Sequence, residues 1–431
     1  MTAFADLRAK ADALEDDIEK YMVEPHGALY SMLNTKTRRP FVDGDIRPED
    51  DYLGTYAKNE PWFNPGDAMN YEDCGMVTGA YLAAQCYKWQ VTGETSCLTI
   101  ARRLFEGIRW IYDLGLEVEE GFFPKTYGGK FSKEISSDQY IYVIKALLLY
   151  LPIAEEDHAT TIRRMIPKMA DFWIGRGYRY PYFGNPDLLW PPARFPAFHY
   201  AAYTVSGDQR YLDEAKHLEK EYQTSQYPPD SFFMRRVEGK AAFTPLEERF
   251  QGRYIDQYIT ETAVMDIMAL DECLALSKDH VEAWKNSISL AWRGARLALV
   301  PGNSGHVRGW IIYDPETKEV TSPDAQWTGT VNPMGWSLWD WMGSYTTPCG
   351  PMLARVGLNV AKWLPELGAA ETVLTILKES KPEDMWHRYF DPDGRQIRPE
   401  HQFLYNQVEV HAFVNWLWAY WQGRHEGIIQ G

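Results

Sequence analysis

Residues 136–154 read SSDQYIYVIKALLLYLPIA, and this stretch decides the fold. It opens polar and turns apolar within four residues. Ser136, Ser137 and Asp138 are all suited to cap a helix or fill its first turn, and an acid there sits well against the positive end of the helix dipole. From Tyr140 onward nearly every side of the helix is apolar. A surface helix keeps one polar face, so this one belongs inside a larger helical assembly. Asp138 then stands at the mouth of that interior. Capping is the plain role for an aspartate in such a place, and chemistry is the alternative.

The neighbouring segments repeat the theme. Segments 73–91, 196–206 and 257–277 are also apolar or aromatic nearly all round, whereas 94–114, 157–175, 208–222 and 280–299 each carry one apolar stripe and one wet face. In 94–114 the stripe is Leu98, Ala101, Leu104, Phe105, Ile108 and Ile111. Short polar joints link each greasy helix to the amphipathic one after it: Thr92-Gly93-Glu94, Glu155-Glu156-Asp157, Ser206-Gly207-Asp208 and Ser277-Lys278-Asp279. Joints this short make antiparallel hairpins. Two hairpins look related, since YKWQVTGETSCLTIARRL and YAAYTVSGDQRYLDEAKHL share their joint and the residues around it. Further helices fit at 353–363 and 368–380, and the last, 406–422, can pair with the N-terminal helix to close a ring. About twelve helices in six hairpins, wet outside and greasy inside, predict an all-α fold, an (α/α)6 toroid, with residues 1–431 forming one catalytic domain. An open helical solenoid is the alternative, but its repeats usually run to roughly 34–47 residues.

Composition narrows the function. The chain has 431 residues, 45% hydrophobic and 24% charged, with a net charge of −16, which argues against the basic face a nucleic-acid binder needs. Five cysteines without a pairing pattern, together with the absence of CxxC, HExxH or a Cys/His cluster, predict reduced thiols and no zinc site. No cofactor or metal is expected. The N-terminus, MTAFADLRAKADALEDDIEKYM, reads as an acidic amphipathic helix and not as a signal peptide, so the expected location is cytoplasmic, though a removed export signal is compatible with this chain. No apolar run approaches the roughly 20 residues that span a bilayer, so no membrane partner is expected. The 17 Trp, 27 Tyr and 18 Phe suit a cleft that stacks on sugar rings, which makes an oligosaccharide the expected partner. The oligomeric state stays open.

Long non-helical stretches precede the inner helices: 23–71, 115–136, 176–195 and a loop-rich insertion at about 300–350. The insertion contains a small β-hairpin, VRGWIIYDPETKEV, turning at Asp314-Pro315-Glu316, and an aromatic run of Trp327, Trp336, Trp339 and Trp341. Loops before parallel inner helices emerge at one end of the ring, where function concentrates. Asp73 starts the first inner helix as Asp138 starts the next, so two carboxylates converge on one mouth. Repulsion and desolvation would raise one of them, giving an acid and a base from identical residues. The stretch Trp190 to His199 brings Arg194, able to hold a carboxylate in a bidentate fork, with Phe198 and His199 just inside the third inner helix. Arg194 pairing with Asp187 or Glu261 is the alternative. Glu261, Glu409 and His411 are further inner-face candidates. Trp190, Trp336 and Trp339 can form a sugar platform or simply pin their loops.

These residues resemble the six-hairpin glycosidases, especially the unsaturated uronyl hydrolases of glycoside hydrolase families 88 and 105. Asp73-Cys74-Gly75-Met76 is similar to their first aspartate motif, and Asp138, at 138 − 73 = 65 residues later, falls where that family keeps its acid/base aspartate. Ala193-Arg194-x-x-x-Phe198 is similar to their arginine–aromatic subsite motif, and Tyr254-Ile255-Asp256 through Leu276 to the helix that follows. The chain departs from the family at Phe195-Pro196, at Phe198 in place of tryptophan, at Gln139 in place of a small hydroxyl residue, and in lacking a histidine between the second aspartate and the arginine. The resemblance implies that Asp138 protonates the C4=C5 enol ether of an unsaturated uronic acid and water adds at C5. Asp73 would assist and Arg194 would hold the uronate. A glucuronidase-type glycosidase would use the same carboxylates. A sugar 2-epimerase would need a histidine pair such as His199 and His411, and a polysaccharide lyase a Tyr or His base. A carbohydrate-binding protein would need none of this.

Overall fold

The computed structural model describes residues 3–42, 44–45, 65–182, 186–190, 192–224, 234, 237, 252–257, 259–322, 345–390 and 407–430. Among them the ring helices are α1 (Ala3–Tyr21), α2 (Cys74–Thr92), α3 (Thr95–Gly115), α4 (Ser137–Tyr150), α5 (Glu156–Gly175), α6 (Phe195–Ser206), α7 (Gln209–Thr224), α8 (Ile259–Leu276), α9 (Val281–Leu297), α10 (Gly350–Trp363), α11 (Ala369–Glu379) and α12 (Val410–His425). The even-numbered helices form the inner ring, each packed on the next, with α12 returning to α2. The odd-numbered helices lie outside. Hairpin reading therefore finds the (α/α)6 toroid.

Burial explains the division. α2, α4 and α12 are buried on almost every face, whereas α3, α5 and α9 bury one stripe and wet the other. Each fully buried large apolar side chain contributes about 1.5–3 kcal/mol, so the inner ring cannot be exposed without loss of the fold. Gly79 lets α2 and α4 approach closely, because a Cβ there would lie 2.9 Å from the Tyr142 carbonyl oxygen. The lone lysine of α4, Lys145, reaches Asp271 (2.7 Å) and Glu272 on α8. The ring closes as expected: Arg8 and Lys10 of α1 lie over Trp421 and Trp416 of α12, and Glu15 of α1 takes Lys88 of α2 at 2.7 Å.

The two related hairpins turn in the same way. Gly93 and Gly207 both take the left-handed conformation (φ 69°), and their N–H groups donate to Trp89 and Tyr203 carbonyls. Thr92 and Ser206 each donate to the carbonyl four residues back and accept the N–H two residues on. The shared sequence is a shared turn.

Among the described residues there are three small sheets, two of which contribute residues to the mouth. β1 (Met32–Asn34) pairs antiparallel with β8 (Gln407–Glu409); β2 (Tyr254–Gln257), β5 (Trp310–Tyr313) and β6 (Val320–Thr321) form a second; β3 (Leu299–Val300), β4 (Asn303–Arg308) and β7 (Thr346–Thr347) a third. Only the β5–β6 hairpin was expected; Asp314 closes it by accepting the N–H groups of Glu316 and Thr317. No helix among the described residues is long and apolar enough to cross a membrane.

Candidate active site

The inner helices run parallel, so their N-terminal ends meet at one mouth. There a cavity of about 110 Å³ is lined from five directions: Asp73 and Met76 from α2, Thr260 and Glu261 from α8, Met352 from α10, His411 from α12, and Arg308 from β4. Glu409 and Arg388 complete its charged wall.

Asp73 does not cap its own helix. That task falls to Gln139 of α4, whose side-chain oxygen accepts the Met76 N–H (3.1 Å) while its amide donates to the Glu72 carbonyl (3.3 Å) and to Asp73 Oδ1 (3.1 Å). Asp73 is thereby fixed in place with its other oxygen turned to His411 Nε2 at 3.4 Å. Lys125 Nζ stands 3.8 Å from both Glu72 and Asp73. Burial alone would raise the Asp73 carboxyl, but Lys125, His411 and Arg388 outweigh it and hold it down at about 2. Burial opposes the charge of His411, yet Asp73 raises it above its ordinary value.

Asp138 is not a cap either. Ser136 caps α4, accepting the Asp138 N–H at 3.1 Å. The Asp138 carboxylate accepts from Nη1 of Arg194, which also donates to Ser137 Oγ at 3.0 Å. Arg194 is 5% exposed, and its Nε reaches Asp266 at 3.4 Å. The arginine is thus engaged by Asp138 and Asp266, while Asp187 pairs with Arg179. Expected to hold a substrate carboxylate, Arg194 instead locks an acid of the protein.

The like-charge effect foreseen for the aspartate pair lands on a third carboxyl. Glu261, in the first turn of α8, has no hydrogen-bond or ion-pair partner among the described residues. Burial, then the charges of Asp138 and Asp73, push it up to about 7. The cavity therefore joins a carboxyl that keeps its proton near neutrality to one that does not.

Other sequence candidates sit elsewhere. Phe198 is fully buried, packed between Tyr140 and Phe195. His199, also fully buried, meets the Tyr178 hydroxyl at 2.9 Å, and that hydroxyl donates to Glu214 of outer helix α7. Burial pushes His199 down to about 3. The ring does not bring His199 and His411 together; only His411 lines the cavity. Trp190 is 4% exposed, donates to the Tyr180 carbonyl and packs on Trp173 and Tyr182. It anchors its loop. Trp336 and Trp339 lie outside the described residues, as do Trp327 and Trp341. Among the described residues no group of three or more His, Cys, Asp or Glu side chains is placed to hold a metal ion. Lys125 and Arg308 were missed. Lys125 lies in the expected mouth loop 115–136, but nothing in its own sequence marks it. Arg308 was visible at the start of the expected hairpin.

No family model matches the chain, and no curated protein matches it. Solved structures do. A cellobiose 2-epimerase from Spirochaeta thermophila matches with 12% identity and a TM-score of 0.53, covering 100% of both chains. A sugar epimerase from a ruminal bacterium matches with 10% identity and a TM-score of 0.56, covering 98% of this chain and 99% of that one. A D-mannose isomerase matches with 12% identity and a TM-score of 0.50, covering 98% and 97%. At such identities the likeness is one of fold.

Proposed function

We propose that this chain is a glycoside hydrolase acting on oligosaccharides that end in a uronic acid, with Glu261 and Asp73 as its working carboxyls. The observation that carries the reading is their divergence: one cavity holds a carboxyl raised to about 7 and another held at about 2. That is how an acid and a base are made from similar groups at neutral pH. On an unsaturated uronide, Glu261 gives its proton to C4 of the C4=C5 bond. Water adds at C5 and loses a proton to Asp73, and the hemiketal opens to release the remaining sugar. On a saturated uronide the same proton goes to the leaving oxygen and the same base serves the water. Asp138, engaged by Arg194, acts here as a fixed negative charge that keeps Glu261 protonated, in place of the proton donor's role that the family resemblance gave it.

A second reading, sugar 2-epimerisation, rests on the His411–Asp73 contact facing the same cavity. His411 would take the C2 proton and Glu261 would supply one. A screen of saturated and unsaturated uronyl disaccharides decides between them. Hydration erases the ultraviolet absorbance of the conjugated double bond, whereas epimerisation leaves the mass unchanged and, in heavy water, places deuterium at C2. No turnover of any uronide sinks the hydrolase reading.

A further inference from the structure

Among the described residues, six Asp, Glu, Arg and His side chains line the cavity, and four are matched with one another. Arg388 Nε meets Glu409 at 2.9 Å, and its Nη1 donates to Gln407 at 2.9 Å. His411 meets Asp73 at 3.4 Å. The two left over are Glu261 and Arg308. Among the described residues, Arg308 has no carboxylate partner. Its side chain makes one bond, from Nη1 to the Leu299 carbonyl at 3.0 Å, and its backbone is fixed by donation to Ala298 at 2.8 Å and by pairing of β4 with β7 opposite Thr346. Nη1 is therefore the anchored nitrogen, and the edge formed by Nε and Nη2 is left for a planar oxyanion. Burial is the sole influence on its charge, and lowers its pKa, as for a cation without an anion beside it.

We propose that Arg308 is the residue that reads the carboxylate of the sugar, and so sets the preference of this cavity for acidic over neutral substrates. The assignment rests on the site of the proposed hydrolase but not on its reaction. It places the charged end of the sugar against β4 and leaves Glu261 for the reacting bond. It also transfers to Arg308 the duty expected of Arg194, whose Nε and Nη1 are engaged by Asp266, Ser137 and Asp138.

The test is equilibrium binding of glucuronate and of glucose, by calorimetry, to the wild-type chain and to Arg308→Gln and Arg308→Lys, with melting curves to establish that each variant is folded. The expected result is a wild-type preference for glucuronate that Arg308→Gln reduces about a hundredfold while glucose binding is unchanged. Arg308→Lys, which keeps the charge and loses the fork, restores part of it. Three results overturn the proposal: a wild-type chain that binds glucuronate no better than glucose, equal loss of both sugars in Arg308→Gln, or unchanged glucuronate binding in that variant. If the preference depends on Arg308 but the wild type hydrolyses no uronide, the hydrolase reading falls and this assignment stands.

Discussion

Asp138 and Glu261 occupy nearly equivalent places, each in the first turn of an inner helix at the same mouth, yet the ring treats them in opposite ways. Asp138 is ion-paired with a buried arginine, which it shares with Asp266 and which also donates to Ser137. Glu261 has no ion pair among the described residues, and burial with the repulsion of Asp138 and Asp73 outweighs the attraction of His411. Position along the helix thus tells less about a carboxyl than the charge brought to it from the neighbouring hairpins. An acid with an arginine becomes a fixed charge; an acid without one becomes a proton carrier.

The largest effect expected from this contrast is on turnover. Glu261→Gln keeps the shape of the side chain but removes the acid, and kcat/KM on a uronyl disaccharide should fall about a thousandfold with no fall in melting temperature. A loss below tenfold would break the contrast at its functional end. On the other side, Arg194→Gln should act on stability. It leaves Asp138 and Asp266 without their shared cation, at a cost of about 3 kcal/mol in denaturant unfolding. A neutral outcome there would mean that the ion pair is incidental.

The pH dependence follows from the same divergence. Activity needs Glu261 protonated, so the rate should hold below about 7 and fall tenfold per unit above it. Stability has the same sign. The folded pKa of Glu261 lies above its ordinary 4.5, so its contribution is full below 4.5 and is lost as pH rises through about 7. Glu261→Gln should flatten the stability profile over that interval. A smaller effect is expected at Gln139, which caps α2 from α4: Gln139→Ala should cost about 1 kcal/mol and reduce turnover modestly by loosening Asp73.

The ring was legible because its signals are local. A helix apolar on every face, a helix with one wet stripe and a Gly-containing joint each declare themselves within about 20 residues, and α1–α12 fall close to where those patterns put them. Most strands at the mouth were not legible, because pieces of two to six residues depend on partners far along the chain, as Met32 does on Glu409. The site divides in the same way. Asp73 and Asp138 could be placed because they start helices. The role of Glu261 could not, since its raised pKa is made by burial within the ring and then by charges arriving from two other hairpins. His199 was misleading for a geometric reason: its side chain turns toward Tyr178, whose hydroxyl engages the outer helix α7, and away from the axis.

The protonation of one side chain, Glu261, decides whether the cavity holds an acid, and it needs no substrate to measure. Carbon-13 NMR titration of the Glu261 carboxyl, assigned by comparison with Glu261→Gln, should give a midpoint of about 7 that falls when Asp138→Asn removes the stronger of its two main repelling charges. A midpoint in the ordinary carboxylate range, or one indifferent to Asp138, would contradict it.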